Sequence, residues 1–215
     1  MNPLIIFFGF GVGLLVGTTG MGGGSLMTPL LILFVGVQPV VAIGTDLAYA
    51  AVTKTVGGFR HFRQGTVDMG ISLWLAVGSI PGAIGGVFVL DLLRSSYGKS
   101  FDDIVLVLVA IALFVTGVIV LARALFVPRM IERERHTLTL TPRHKLAAVA
   151  LGMSVGFVLG ITSAGSGTLI AVGLILIYRL SPRRVVGTDV FHAAILLWVA
   201  ATAHLISGNV DLGLA

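Results

Sequence analysis

Long, continuously apolar runs separated by short polar segments dominate the sequence. Three of them, residues 69–90, 104–122 and 185–206, are close to the roughly 20 residues that a membrane-spanning helix needs. A further helix is predicted from Pro39 to about Gly58. The runs do not alternate between apolar and polar positions, as the strands of a membrane barrel do. The pattern therefore predicts an all-α polytopic membrane protein.

Two other apolar runs, residues 4–35 and 146–178, are interrupted by glycine-rich stretches. Each half is only about a dozen to 17 residues long, which is too short to cross a bilayer alone. Glycine weakens a helix, and bare backbone at membrane depth is tolerated only against protein or a water-filled cavity. We therefore expect glycine-rich broken or re-entrant helices at these two places.

The two glycine-rich stretches are copies of each other. Residues 17–25, GTTGMGGGS, recur 143 positions later as residues 160–168, GITSAGSGT. Aligning residues 13–72 with residues 156–215 without a gap gives 21 identities in 60 positions. This degree of identity indicates an internal duplication.

The duplication divides the chain into three parts. We assign a first transmembrane repeat to residues 1–126, a basic cytoplasmic loop to residues 127–145 and a second repeat to residues 146–215. Residues 73–125 have no counterpart in the second repeat, so that repeat is expected to be truncated.

Composition leads to the same class of protein. Hydrophobic residues make up 56% of the chain and charged residues 11%, whereas soluble domains are about 25% charged. We expect a multi-pass protein surrounded by lipid, in a bacterial or archaeal inner membrane. The chain contains no cysteine, which excludes disulfides and thiol chemistry. Its net charge of +5 comes from loops between apolar runs, so we interpret it as a topology signal rather than a nucleic-acid site.

Charge asymmetry predicts the orientation. Loops are expected at residues 60–65 and 91–103, and placing residues 123–145 in the cytoplasm puts eleven of the 14 Lys and Arg residues inside. The equivalent loops at residues 36–39 and 179–182 then lie on opposite sides of the membrane. The repeats are therefore predicted to be inverted, an architecture of many secondary transporters.

The glycine-rich stretches are candidate anion sites. Where two half-helices meet, unpaired backbone N–H groups and the positive ends of helix dipoles point into the break. The alternative is close helix packing, through glycine ladders at residues 9, 13 and 17 and at residues 152, 156 and 160. The candidate substrate-binding residues are Thr18, Thr19, Gly20, Gly22, Gly23, Gly24, Ser25, Thr162, Ser163, Gly165, Ser166, Gly167 and Thr168.

Two repeated carboxylates are candidates for ion coupling. Asp46 and Asp189 each lie about seven residues inside a helix, roughly 10 Å deep, where a carboxylate is costly unless it is used. Tyr49 and His192 follow one turn later on the same helix faces. A proton or Na⁺ coupling role fits these groups, and the alternative is a hydrogen bond to a helix terminus. Lys54, within the same helix as Asp46, is a candidate counter-charge for an anion, or else it extends to the membrane surface.

Other repeated polar residues favour structural roles. Asp68 and Asp211 follow a Gly-x-Val sequence and are predicted to cap the next helix. His61 and His204 are expected at membrane interfaces, where a histidine is commonly solvated or capping.

The sequence resembles the sulfite exporter TauE/SafE family. The resemblance rests on GTTGMGGGSLMTP at residues 17–29 and PVVAIGTD at residues 39–46, which recur weakly at residues 160–168 and 182–189. It implies an inner-membrane permease whose substrates are sulfur-containing anions such as sulfite and organosulfonates, in export or uptake. Many relatives have Ser or Asn at the position of Asp46, and Ser163, Ala164 and Ser166 replace Gly20, Met21 and Gly23 in the second motif.

These observations favour an anion permease coupled to H⁺ or Na⁺. An anion channel whose pore is lined by the same breaks is the alternative. An intramembrane enzyme using Asp46 with His192 or His61 is disfavoured, because the sequence has no HExxH or Gly-x-Ser-x-Gly motif. No cofactor or metal is expected, and a homodimer is left open.

Overall fold

The computed structural model describes residues 9–11, 13, 14, 24–126, 140–211 and 213, apart from a few side chains. The described part of the chain is helical and has no strand, which confirms the all-α prediction. Residues 24–126 and 140–211 contain seven α-helices, a π-helical turn at Leu31–Val35 and a 3₁₀ turn at Gly98–Ser100. The helices are α1 (Gly24–Leu30), α2 (Pro39–Arg63), α3 (Met69–Tyr97), α4 (Phe101–Phe126), α5 (Pro142–Thr162), α6 (Ser166–Tyr178) and α7 (Pro182–Ile206).

Three stretches of the described chain are long and apolar enough to cross a membrane. They are Met69–Ala122, which comprises α3 and most of α4, Pro142–Thr162 and Pro182–Ile206. Large apolar side chains cover the outside of these helices, and Phe88 and Phe114 are 66% and 73% exposed. Side chains of this kind are stable at such positions against lipid, so the fold is that of a membrane protein.

Two predicted loops are helical. We expected α2 to end near Gly58 and a loop to follow at residues 60–65, but α2 continues to Arg63. The reason is that Arg60, His61 and Arg63 occupy its last turn, where cations are favoured by the negative end of the helix dipole. Similarly, the loop predicted at residues 91–103 is mostly the last turns of α3, the 3₁₀ turn and the start of α4. Charged residues therefore mark the end of the apolar zone and not the end of the helix.

Two glycine ladders bring α3 and α5 into backbone contact. Gly78, Gly82 and Gly86 on α3 face α5, and a methyl group at Gly82 would overlap the carbonyl oxygen of Met153. The ladder at residues 152, 156 and 160 faces α3 in the same way, so that a methyl group at Gly156 would overlap the carbonyl oxygen of Ser79. The close packing proposed for residues 152, 156 and 160 is confirmed, and the α3 ladder is its partner. At Gly9 and Gly13 of the other proposed ladder, a methyl group would meet nothing within 4 Å, and residue 17 lies outside the described residues.

Helices α2 and α7 have the same length and matching ends. Each contains 25 residues and begins at a proline, 143 positions apart. The glycine that follows each helix, Gly65 or Gly208, is in the left-handed region with φ of 65° or 73°. The 143-residue offset therefore relates two helices of equal length and the turns that follow them.

The loop that follows each of these helices packs on the other helix. The amide of Asp68 donates to Thr188 Oγ1 at 2.9 Å, and the amide of Asp211 donates to Thr45 Oγ1 at 3.0 Å. These two hydrogen bonds are equivalent under the 143-residue offset. Asp68 also caps α3, because its side chain accepts a hydrogen bond from the amide of Ile71, as predicted.

The glycines before the two threonines allow this approach. A methyl group at Gly44 would overlap the carbonyl oxygen of Asn209, and one at Gly187 would overlap Thr66 Oγ1. Thr66 and Asn209 are themselves 143 positions apart. The loop after each of these helices therefore occupies the space that a glycine leaves open on the other helix.

Candidate functional site

The junction between α5 and α6 lies in the protein interior. Helix α5 ends at Thr162, α6 begins at Ser166, and the residues between them are buried. Ser163 has φ of 56° and Gly165 has φ of 93°, both in the left-handed region. A side chain at such a φ is sterically disfavoured by about 1–2 kcal/mol. The position equivalent to Ser163 in the first half is Gly20, where this cost would not arise.

Asp46 is hydrogen-bonded to this junction. Its side chain is buried, and Oδ2 lies 2.8 Å from Ser163 Oγ and 3.0 Å from Thr28 Oγ1. The two hydroxyl oxygens are only 2.6 Å apart. Three oxygen atoms from α1, α2 and the α5–α6 junction therefore form a closed triangle, which we call the Asp46 triangle. Among the described residues, Oδ1 of Asp46 has no hydrogen-bond partner.

Local backbone features place Thr28 in the triangle. Helix α1 contains Pro29, which lacks an amide hydrogen and interrupts the hydrogen-bond ladder. The chain continues as the π-helical turn, and π-helical turns are frequent at functional sites. Met27 and Leu31 are buried on either side of Thr28, so this face of α1 is turned toward α2.

Asp189 has different surroundings, although its position is equivalent to that of Asp46. Lys54 Nζ lies 4.0 Å from Asp189 Oδ2, and the two side chains are 13% and 4% exposed. The residues equivalent to Thr28 and Ser163 are Ala171 and Gly20, neither of which has a hydroxyl group. Asp46 is thus hydrogen-bonded to two hydroxyl groups, whereas Asp189 lies beside a cation.

The residues one turn beyond the carboxylates also differ. His192 is fully buried, and its Nε2 lies 2.9 Å from Ser79 Oγ at the α3–α5 contact. Tyr49 is half-buried and lines an apolar groove of about 460 Å³ between α2 and α7, together with Trp198 and Leu205. His204 was expected at an interface but is fully buried. Its Nε2 bonds to the carbonyl oxygen of Gly160 at 2.9 Å, which satisfies this nitrogen in the interior.

The structure covers only part of the predicted anion site. Thr162, Thr168 and Gly167 are buried next to the α5–α6 junction. The hydroxyl of Thr162 donates to a backbone carbonyl of its own helix and accepts from the amide of Ala164 in the junction. Gly24 starts α1, and the anion-binding role of these residues stays a prediction. Outside the described residues lie Thr18, Thr19, Gly20, Gly22 and Gly23, and the side chains of Ser25 and Ser166.

Sequence reasoning missed Thr28 and the partner of Lys54. Thr28 lies in the motif at residues 17–29, but nothing in that motif distinguishes its hydroxyl from a packing side chain, and the equivalent residue of the second repeat is Ala171. Lys54 was predicted to balance an anion or to reach the membrane surface, but it lies against a carboxylate of the other half. The described residues contain no group of three or more His, Asp or Glu side chains suited to hold a metal ion.

Comparison with known proteins gives a family match over nearly the whole chain. The family model described as Sulfite exporter TauE/SafE matches residues 5–215. A probable membrane transporter protein of Bacillus subtilis (strain 168), YjnA, is 37% identical over all of this chain and 84% of its own length. Another from the same organism, YdhB, is 31% identical over 97% of this chain and 80% of its own length. No solved structure matches the chain.

Proposed function

Because the chain belongs to the sulfite exporter TauE/SafE family of membrane transporters, we propose that it is a secondary transporter for a small sulfur-containing anion. Sulfite and organosulfonates are the proposed substrates, and the inner membrane is the proposed location. Transport is coupled to the movement of H⁺ or Na⁺. The protein is not an enzyme in this proposal, since its buried polar groups bind and release ions without changing them.

The buried α5–α6 junction is the observation that carries the proposal. The first turn of a helix has N–H groups without acceptors in the same helix, and the N-cap of α6 is Gly165, which has no side chain to accept from them. Such a helix start inside a membrane protein favours a negative charge. The anion would lie beside Ser163, Gly165 and Thr168.

The paired contacts between the two halves support inverted repeats. Thr45 binds the loop after α7, and Thr188 binds the loop after α2, by equivalent hydrogen bonds. Such an exchange is what a two-fold axis relating the halves would produce. With the axis in the membrane plane, rocking of one half against the other would expose a site between them to each side in turn.

The carboxylates account for coupling in this proposal. An ionised carboxylate beside the α5–α6 junction would repel an anion, whereas a neutral one would not. The carboxylate of Asp46 accepts a hydrogen bond from Ser163, which is part of that junction. Binding of a cation or proton at the carboxylate would therefore favour binding of the anion next to it.

Uptake into proteoliposomes tests the proposal. The full chain would be reconstituted and supplied with labelled sulfite, sulfate or a small sulfonate, with and without an imposed H⁺ or Na⁺ gradient. Accumulation of one anion above its external concentration, only in the presence of a gradient, is expected of a coupled transporter. Flux that stops at equal concentrations would replace the transporter with the channel, and absence of flux for all three anions would overturn the proposed substrate class.

A further inference from the structure

The Asp46 triangle needs more protons than its hydroxyl groups supply. Its three edges, at 2.6, 2.8 and 3.0 Å, are all of hydrogen-bond length, and each requires one proton between its two oxygens. Thr28 and Ser163 contribute one hydroxyl proton each. An ionised carboxylate is only an acceptor and contributes none. With Asp46 ionised, one edge would bring two oxygen lone pairs together without a proton.

A proton on the carboxyl group of Asp46 removes this deficit. Three protons then serve three edges, and the hydrogen bonds run around the triangle in one direction. Chains of hydrogen bonds in a low-dielectric interior strengthen one another, so the closed arrangement is favoured over separate bonds. Burying a neutral carboxyl group also avoids the cost of burying an unpaired charge.

We propose that Asp46 carries the transported proton, and that the hydroxyls of Thr28 and Ser163 hold the protonated carboxyl group in place. The assignment rests on the proposed coupled transport. It narrows the choice of coupling ion to H⁺ and the choice of carrier to Asp46, so that Asp189 is not a carrier. In this proposal Asp189 stays ionised, because the cation of Lys54 lies 4.0 Å from its Oδ2.

Other titratable groups near Asp46 do not supply the missing proton. On α2 itself, Tyr49 is within the electrostatic influence of Asp46, and Lys54 is about 12 Å further along the axis. On α7, the Cβ atom of His204 lies next to Gly44. The Nε2 atom of His204 bonds to the carbonyl oxygen of Gly160 and not to Asp46. Helix α1 contains no titratable residue. In α6 the titratable residue is Tyr178, whose hydroxyl donates to the carbonyl oxygen of His144.

Proton release would loosen a contact between the two halves. Thr28 belongs to the first half and Ser163 to the second, and the edge between their hydroxyls joins α1 directly to the α5–α6 junction. Transfer of the carboxyl proton to the aqueous phase would leave two protons for three edges. Both hydroxyls would then donate to the carboxylate, and the edge between Thr28 and Ser163 would open. The same event would place a negative charge beside the anion site. Proton loss, anion release and separation of the halves are thereby linked.

Infrared difference spectroscopy tests the proton directly, without requiring transport. The carbonyl stretch of a protonated carboxyl group is separate from carboxylate bands, and it shifts in heavy water. Purified full-length protein in lipid would be titrated with pH. We expect one buried carboxyl band at neutral pH, lost at high pH and absent in Asp46→Asn. The matched control, Asp189→Asn, is expected to keep the band.

Hydroxyl variants test the triangle itself. Thr28→Val and Ser163→Ala should each shift the band to higher frequency, because the carboxyl group loses a hydrogen bond. Thr53→Val is the control, since the Thr53 hydroxyl bonds only to carbonyl oxygens of its own helix. The proposal is overturned if the wild-type protein has no such band at neutral pH, if Asp46→Asn keeps it, or if Na⁺ at constant pH abolishes it.

The transport assay separates this inference from the proposed function. We expect the anion accumulation driven by a pH gradient to be at least tenfold lower in Asp46→Asn than in the wild-type protein. A band assigned to Asp46 in a protein that moves none of the anions would leave the proton site standing and overturn the proposed substrates. Transport that keeps its full pH-gradient dependence in Asp46→Asn would instead overturn Asp46 as the carrier and leave anion transport standing.

Discussion

Lys54 and Asp189 form an ion pair between the two halves of the molecule, with 4.0 Å between Nζ and Oδ2. Lys54 is on α2 and Asp189 is on α7. Both side chains are largely withdrawn from solvent, so neither charge would be well hydrated if its partner were removed.

Removing one charge of this pair should therefore destabilise the protein more than removing both. Lys54→Met is expected to lower the free energy of unfolding by about 3 kcal/mol, because it leaves the Asp189 charge buried. The double variant Lys54→Met with Asp189→Asn should recover most of that loss. Thermal unfolding of the purified protein in detergent measures both. If the double variant were as unstable as the sum of the two single variants, the pair would have no coupling energy.

The glycine ladders give a second prediction, on packing. Gly82→Ala and Gly156→Ala should each cost about 1–3 kcal/mol, because the new methyl group overlaps a backbone oxygen that has no room to move. Gly85→Ala on the same helix is the control, since a methyl group there meets nothing within 4 Å. That control should be neutral or stabilising by about 0.5–1 kcal/mol. Equal unfolding temperatures for Gly82→Ala and Gly85→Ala would contradict the α3–α5 contact.

The exchanged loop contacts give a third prediction, on symmetry. Thr45→Val and Thr188→Val each remove the hydroxyl that accepts the amide of Asp211 or Asp68. An amide left without an acceptor costs about 1–3 kcal/mol, and the two losses should be similar because the contacts are equivalent. Hydrogen exchange at the two amides should also become faster in the matching variant. A loss confined to one of the two variants would show that the halves do not contribute equally.

Ser163 gives a fourth prediction, which separates its backbone from its hydroxyl. Ser163→Gly and Ser163→Ala both lose the hydrogen bond to Asp46 Oδ2, but only glycine relieves the φ of 56°. The glycine variant should therefore unfold at a higher temperature than the alanine variant, by the equivalent of about 1 kcal/mol. Both should lose transport alike if the hydroxyl is what matters. The reverse order of stability would mean that the left-handed backbone at Ser163 carries no strain.

The sequence predicted helix starts better than helix ends. Pro39 and Pro182 marked the first residues of α2 and α7, and Asp68 marked the cap of α3, because a helix start depends on local chemistry. The end of α2 was placed at the last apolar residues, about a turn too early. Hydropathy reports the thickness of the apolar environment, whereas a helix continues as far as its backbone bonds are favourable.

The polar contacts of the candidate site could not be predicted in the same way. The duplication indicated that Asp46 and Asp189 are equivalent, and they do occupy equivalent positions on α2 and α7. Their partners are not equivalent, because Thr28 and Lys54 have no repeated counterpart and lie far from their partners in sequence. Which side chains meet across two packed halves depends on tertiary structure, and a single sequence contains no direct signal of that kind.

The exchanged loops have a consequence for synthesis of the chain. Thr45 and Asp211 are 166 positions apart, and Thr188 and Asp68 are 120 positions apart. At about 5–20 residues per second, the ribosome needs roughly 8–33 seconds after the synthesis of Thr45 to make the loop that covers it. Thr188, by contrast, meets a loop that already exists. During this interval the surface at Gly44 and Thr45 is not yet covered by its own loop and can contact lipid or other proteins. We therefore expect assembly of the first half to be the step that depends most on chaperones and on the insertion machinery.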